Sequence, residues 1–138
     1  MRFWDSSAII PLCLDQPRSA RARALHDEDD QLAVWWGTPV ECASAFARLR
    51  RDGVLDGAGE DAARSLLTAL QDAWFEVQQG DAVRRQALRA LRVHPLRAAD
   101  SLQLAAALEW AGSPPAGQLV TFDERLKAAA RREGFGVV

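Results

Sequence analysis

Short apolar segments alternate with longer helical patterns along the sequence, and this alternation restricts the possible folds more than any other feature. Segment 32–36 is apolar throughout and is followed by a glycine, a pattern typical of a strand buried on both faces of a parallel sheet. Strand-like segments at 2–4 and 119–122 each lead directly into an aspartate. Strands separated by helices favour an α/β fold, in which helices cover a mainly parallel central sheet.

Two more strands and seven helices complete the predicted order of elements. The strands are expected at 75–77 and 136–138. The helices are expected at 6–14, 17–27, 38–51, 60–73, 81–93, 96–111 and 123–132. Ser6 or Ser7 is expected to cap the first helix, and Pro17 to begin the second, where its missing N–H costs nothing.

Apolar residues at helical spacing predict the buried faces of two helices in the middle of the chain. In the helix at 60–73 these residues are Leu66, Leu67, Leu70 and Trp74. In the helix at 81–93 they are Val83, Ala87, Leu88 and Leu91. Each set is expected to face the core of the protein.

Length and composition indicate the broad class of protein. The 138 residues contain no repeat or long linker, so a single domain spanning 1–138 is predicted. No apolar run approaches the roughly 20 residues that span a bilayer. The polar start of the chain does not resemble a signal peptide, so a cytoplasmic location is expected. Cys13 and Cys42 are far apart in sequence and are expected to be buried apolar residues rather than a disulfide.

The net charge of −2 does not exclude a nucleic-acid partner, because the distribution of charge matters more than its sum. Of the 17 basic residues 16 are arginine, a side chain that makes bidentate contacts with phosphate. The arginines cluster at 18–23, 48–51, 84–85 and 131–132. An exposed helix face carrying arginine is also a common way to keep a protein soluble, so the clusters alone do not decide between these roles.

Two aspartates follow predicted strands and precede helices. Asp5 comes after the first strand, and Asp123 comes after the strand at 119–122. In parallel α/β sheets the carboxyl ends of the strands form one edge, where ligands bind. The two aspartates are therefore expected to lie at the same edge. Taken singly, each is equally well explained as a helix N-cap.

Two further acids lie in the first turns of helices with apolar neighbours. Glu41 follows the strand at 32–36, and Asp100 begins an alanine- and leucine-rich helix. Glu41 alone is also explained by the favourable helix dipole. Four acids that meet in one crevice repel each other unless a cation joins them. Ligands that are all oxygen select a hard cation, so the sequence predicts a Mg²⁺ or Mn²⁺ site at these four residues.

Four segments of the sequence resemble the PIN-domain nucleases, and especially the VapC-type toxins of bacterial toxin–antitoxin pairs. These segments are Trp-Asp-Ser-Ser-Ala-Ile at 4–9, Pro-Val-Glu-Cys-Ala-Ser-Ala at 39–45, Leu-Arg-Ala-Ala-Asp-Ser-Leu-Gln-Leu-Ala at 96–105 and Val-Thr-Phe-Asp-Glu-Arg-Leu at 120–126. Together and in this order they cover nearly the whole chain. The region 58–93 matches only in its helical character.

The resemblance implies a PIN-like three-layer sandwich with an acidic cleft, and endoribonuclease activity on structured RNA. As a hypothesis, Asp5 and Asp100 hold the principal Mg²⁺ or Mn²⁺ ion, while Glu41 and Asp123 complete its shell or hold a second ion. Ser6 and Thr121 are candidates to orient water or phosphate. The list of candidate catalytic and metal-binding residues is therefore Asp5, Glu41, Asp100 and Asp123, with Ser6 and Thr121 as candidate positioning residues.

The resemblance also implies an RNA substrate, a cognate antitoxin and a homodimer. Two alternatives remain open: a PIN-like module that binds RNA or protein without cutting, and a free-standing RNA-processing nuclease. Aspartyl-phosphate chemistry is disfavoured, because haloacid-dehalogenase-like phosphatases need an Asp-x-Asp motif and Asp5 is followed by Ser6 and Ser7. Response receivers need an aspartate after a middle strand, and none follows Trp36 directly.

Overall fold

The computed structural model describes residues 1–138, which form five strands and seven helices. The strands are β1 (Arg2–Trp4), β2 (Leu32–Trp35), β3 (Phe75–Val77), β4 (Gln118–Val120) and β5 (Gly136–Val137). The helices are α1 (Ser6–Cys13), α2 (Ser19–Glu28), α3 (Thr38–Arg51), α4 (Gly57–Gln71), α5 (Asp81–Val93), α6 (Ala98–Ala111) and α7 (Glu124–Arg132).

The strands form a single sheet in the order β3-β2-β1-β4-β5, and every pairing is parallel. Within the central strands, neighbouring residues point to opposite faces. Phe3 lies in a core cluster with residues of α5, α6 and α7, whereas Trp4 lies in a second cluster with residues of α1, α2, α3 and α4. Helices therefore cover both faces of the sheet, and the predicted α/β three-layer sandwich is confirmed.

Several predicted bounds of helices and strands differ from those in the structure. Helix α4 begins at Gly57 rather than at Glu60, since the side chain of Asp56 accepts a hydrogen bond from the Gly59 backbone N–H at 2.7 Å. Helix α6 begins at Ala98 instead of residue 96. Pro17 precedes α2 and does not form its first turn. Strand β4 ends at Val120, two residues earlier than predicted.

The predicted serine cap of α1 is also wrong. Asp5 occupies the N-cap position, although its side chain makes no hydrogen bond to the helix backbone. Ser6 and Ser7 lie inside the helix, and their hydroxyls bond to Glu41 and Asp5 instead. The serine hydroxyls in the first turn of α1 therefore bind carboxylates and do not cap the helix.

The predicted buried faces of α4 and α5 are only partly right. Leu67, Val83 and Ala87 are buried as predicted, but Leu66, Leu88 and Leu91 are exposed. Helix α5 packs closely against α6, and the buried residues that these two helices contribute to one core cluster are mostly alanines: Ala87 and Ala90 in α5, and Ala105 to Ala107 in α6. The larger Leu88 and Leu91 lie on the outer face of α5.

The turn from β2 into α3 is shaped by a close contact between Gly37 and the indole of Trp35. A Cβ atom at position 37 would overlap the Trp35 side chain, so a glycine is required there. Trp35 is buried, whereas Trp36 beyond the strand is 45% exposed, so the two side chains face different surroundings. Helix α3 begins directly after Gly37.

Two other predictions can be compared with the structure directly. Cys13 and Cys42 are both buried and unpaired, as predicted, and burial raises the pKa of the Cys13 thiol to about 12. None of the seven helices combines the length and the apolar character needed to cross a membrane.

Candidate active site

Three of the four candidate acids lie at the carboxyl end of neighbouring strands. Asp5 directly follows β1, Asp123 lies three residues past the end of β4, and Glu41 lies in the first turn of α3, which follows β2. Strand β1 is hydrogen-bonded between β2 and β4, and all three run in the same direction. The topology therefore brings these acids to one edge of the sheet, where parallel α/β folds bind ligands.

Asp100 joins this edge from α6, in whose first turn it lies. Together with Asp123 it lines a surface pocket of about 380 Å³, whose other lining residues are Arg97, Glu124 and Arg125. The charge of Asp100 also raises the pKa of Glu41, which places Asp100 within electrostatic range of the buried part of the site. As the side chains stand, no three histidine, cysteine or acidic groups converge at metal-ligand spacing.

Asp5 is a buried carboxylate, 4% exposed, held by the hydroxyl of Ser7. The Ser7 Oγ donates to Asp5 Oδ1 at 2.7 Å and accepts a bond from the Phe122 backbone N–H at 2.8 Å. Burial raises the pKa of Asp5 to about 7; the hydrogen bond of the Ser7 hydroxyl opposes this rise and the charge of Glu41 adds to it. Ser7 therefore connects α1, the carboxylate and the segment after β4.

Glu41 is held by two polar side chains. The Ser6 Oγ donates to Glu41 Oε2 at 2.6 Å, and the Gln103 Nε2 donates to the same oxygen at 3.2 Å. Gln103 is fully buried and also contacts the hydroxyl of Thr38 at 3.2 Å. Burial raises the pKa of Glu41, and the charge of Asp100 raises it further against the hydrogen bonds of Ser6 and Gln103.

Asp100 and Asp123 each use one carboxylate oxygen to hold a helix start. Asp100 Oδ2 accepts the Arg97 backbone N–H at 3.2 Å. Asp123 Oδ1 accepts the backbone N–H groups of Arg125 and Leu126, both at 2.8 Å, so the N-cap interpretation of Asp123 is right as far as this oxygen is concerned. The other oxygen of each carboxylate has no hydrogen-bond partner in the protein and remains available to a ligand.

Sequence reasoning missed Ser7, Gln103 and Thr38 as parts of the site. A signal for Gln103 is present, because it lies three residues after Asp100 on the same side of a largely apolar helix. A buried amide needs a partner, and the partner it finds is Glu41. Thr121, predicted to orient water or phosphate, is fully buried and accepts the Asp123 backbone N–H at 3.0 Å.

The four acids share one further property, which is that none of them takes part in an ion pair. The eight ion pairs of the molecule involve other acidic residues. Buried carboxylates normally have a positive partner or coordinate a metal ion. The donor set here is entirely oxygen, which fits a hard divalent cation. The chemistry of these donors thus fits a metal site, although their side chains must move together to form one.

Comparison with known proteins gives a family match over almost the whole chain. The family model described as PIN domain matches residues 2–132. No curated protein matches the chain in sequence. The matched range includes all four candidate acids, every helix and four of the five strands.

Solved structures of low sequence identity share the fold along nearly the full length of the chain. The crystal structure of VapC20 from Mycobacterium tuberculosis, described as a Sarcin-Ricin loop cleaving toxin, has a TM-score of 0.71 at 18% identity and covers 98% of this chain and 96% of its own. A toxin–antitoxin complex from Klebsiella pneumoniae has a TM-score of 0.66 at 16% identity, covering 100% of this chain and 96% of the other. FitAcB from Neisseria gonorrhoeae has a TM-score of 0.67 at 18% identity, covering 99% and 96%.

Proposed function

Because the chain belongs to the PIN domain family, we propose that it is a metal-dependent endoribonuclease, which hydrolyses RNA phosphodiester bonds with Mg²⁺ or Mn²⁺. One observation carries the proposal: the buried Asp5 and the half-buried Glu41, two carboxylates without a cationic partner, lie at the same edge of the sheet as Asp100 and Asp123. Mutual repulsion among these groups favours binding of a divalent ion. An all-oxygen donor set suits an ion that binds phosphate.

In this proposal Asp5 and Asp100 hold the principal ion, and Glu41 and Asp123 complete its shell or hold a second one. When bound, the ion supplies positive charge that stabilises the phosphoryl group as it reacts. The remaining contacts of the chain keep the ligands in place: Ser7 orients Asp5, while Ser6 and Gln103 fix one oxygen of Glu41. These hydroxyl and amide donors hold the acids without neutralising them.

The experiment that tests this function is cleavage of RNA by the purified protein with Mg²⁺, with Mn²⁺ and with EDTA. Asp100→Asn keeps the size of the side chain and removes its charge, and we expect it to lower the cleavage rate by about a hundredfold or more. Asp61→Asn, at an exposed position of α4, is the matched control and should cleave like the wild type. Cleavage in EDTA, or unchanged cleavage by Asp100→Asn, would contradict the mechanism. RNA binding without cleavage would favour the non-catalytic module.

We further propose that the protein is the toxin of a toxin–antitoxin pair, acts as a homodimer and binds a protein antitoxin. The solved structures of similar fold include a toxin and a toxin–antitoxin complex. Exposed leucines at positions 66, 88 and 91 supply apolar surface of the kind that protein partners cover. Expression of the chain with and without its neighbouring small gene tests this role. Growth arrest that the neighbour relieves supports a toxin, whereas a free-standing RNA-processing nuclease would cause no arrest.

A further inference from the structure

The pocket beside Asp100 and Asp123 is lined only by charged residues. Its two positive members are Arg97, at the N-cap of α6, and Arg125, in the first turn of α7. Both side chains are exposed at the rim. The proposed metal chemistry does not use either of them, so their presence beside the acids needs another explanation.

The backbone of each arginine is fixed to one of the candidate metal ligands. The Arg97 N–H donates to Asp100 Oδ2 at 3.2 Å, and the Arg125 N–H donates to Asp123 Oδ1 at 2.8 Å. A carboxylate of the site therefore fixes the backbone position of each arginine. A guanidinium group that extends from either position stays at the rim of the same pocket.

The guanidinium groups themselves have no partner in the protein. Neither arginine takes part in any of the eight ion pairs, although acids line the same pocket. Their side chains also make no hydrogen bond, in contrast to the guanidinium groups of Arg64 and Arg89, which are bonded to glutamates. Two unpaired guanidiniums in a polar pocket are free to bind an anion.

We propose that Arg97 and Arg125 bind the phosphates of the RNA backbone next to the cleaved bond, an inference that rests on the proposed nuclease function. Guanidinium groups bind phosphate oxygens in a bidentate manner. The pocket carries two positive and three negative side chains, so its net charge is −1. The ion would be shared with Asp5 and Glu41, so it offsets the negative charge at this edge and allows the two guanidinium groups to attract a polyanion. Binding of RNA through these arginines should therefore depend on a divalent ion.

The test is equilibrium binding of a fluorescein-labelled single-stranded RNA of about 20 nucleotides, in Ca²⁺ and in EDTA, with the RNA checked for integrity on a gel. Arg97→Ala and Arg125→Ala should each weaken binding in Ca²⁺ by roughly tenfold. Each should also reduce the slope of log K against log salt by about 0.7, the value for one phosphate contact on a single strand. In EDTA the variants and the wild type should bind equally weakly.

Arg131→Ala is the matched control, because Arg131 is exposed at the far end of α7 and forms no ion pair. It should bind like the wild type. Arg125→Lys keeps the charge without the bidentate geometry, so it should restore the salt slope and only part of the affinity. A thermal melt of each variant verifies that it is folded.

Arginine variants that bind with the affinity and salt slope of Arg131→Ala would overturn the inference. If the wild type cleaves RNA in Mg²⁺ at the same time, the nuclease function stands and only the role of the arginines is wrong. If the wild type neither binds nor cleaves RNA, the proposed function fails and the inference fails with it. Loss of RNA binding in folded alanine variants, with a reduced salt slope, supports the inference.

Discussion

Asp5 shows how the fold changes the chemistry of a single residue. Its carboxyl group is buried at the end of β1, close to Glu41, and its pKa rises from 3.8 to about 7. A pKa that is higher in the folded than in the unfolded state stabilises the fold while the group is protonated. This contribution is fully present below about pH 4 and is lost as the pH rises through 7. The metal-free protein therefore bears the cost of a buried charge at neutral and alkaline pH.

Asp5→Asn should therefore stabilise the metal-free protein while abolishing the proposed RNA cleavage. Asparagine still accepts the hydrogen bond of Ser7 and carries no charge. In EDTA at pH 8 we expect the free energy of unfolding, measured with urea, to increase by roughly 2–4 kcal/mol. At pH 4 the difference should nearly vanish, because the wild-type carboxyl group is then protonated. Asp61→Asn should show no such pH dependence. A variant that is less stable than the wild type at pH 8 would contradict this account.

At the scale of elements, the sequence predicts the order of strands and helices well and their surroundings less well. The continuous apolar segment at 32–36 is a local signal, so β2 could be located in advance. The aspartates after short strands are also local signals, so Asp5 and Asp123 could be placed at the carboxyl ends of the strands. The outward position of Leu88 could not be predicted, because it depends on which face of α5 packs against α6. A pattern within one helix does not contain that information.

The candidate site shows the same limit. Acidic residues were identified because they stand out at the start of helices, but the groups that hold them come from other elements. Ser7 binds Asp5 from within α1, and Gln103 reaches Glu41 across 62 positions of sequence. From the sequence alone, a serine near a helix start can be interpreted equally well as an N-cap or as a ligand of a carboxylate, and the cap is the role predicted for Ser6 or Ser7. Only the packing of α1, α3 and α6 against each other decides which role each side chain has.

On the face of the sheet that α5, α6 and α7 cover, an ion-pair cluster joins α5 to the end of α7. Glu133, just beyond α7, accepts a hydrogen bond from Arg89 of α5 at 2.7 Å and contacts His94 Nε2 at 2.6 Å. Burial opposes ionisation of Glu133, but the hydrogen bonds of Arg89 and His94 hold its pKa below the usual value. A pKa that is lower in the folded state stabilises the fold at pH values above the ordinary pKa of a glutamate. This stabilisation is lost as the pH falls through the lower pKa of the folded state.

Glu133→Gln should therefore destabilise the protein at pH 7 by about 1–3 kcal/mol, because charge-assisted bonds to two partners are weakened. The loss, measured by urea unfolding, should disappear at low pH, where the wild-type Glu133 is itself protonated. Asp81→Asn is the matched control, since Asp81 pairs with Arg84 on the exposed surface of α5 at 3.1 Å. Exposed pairs contribute little, so this variant should lose less than about 0.5 kcal/mol. Equal losses in the two variants would contradict the role of Glu133.

At the scale of the whole molecule, the candidate site is assembled from segments that span residues 5 to 123. These segments come from both faces of the sheet: α1 and α3 lie on one side, and α6 and α7 on the other. An ion that binds their carboxylates joins the two layers at one edge. Since the unfolded chain has no such arrangement, metal binding and folding are thermodynamically linked. Occupancy of the site should therefore be visible in the stability of the entire domain.

Mg²⁺ or Mn²⁺ should raise the melting temperature of the wild type. At a concentration one hundred times the dissociation constant the stabilisation is about 2.7 kcal/mol, which corresponds to roughly 5–10 °C for a domain of this size. Asp100→Asn and Asp5→Asn should respond much less, while Asp61→Asn should respond like the wild type. Calorimetry at several ion concentrations distinguishes specific binding, whose stabilisation rises with the logarithm of the ion concentration above the dissociation constant, from general screening, which K⁺ at matched ionic strength would reproduce. A wild type that does not respond to either divalent ion would show that the repulsion among these carboxylates is relieved by protonation alone, and a metal-dependent mechanism would lose its physical basis.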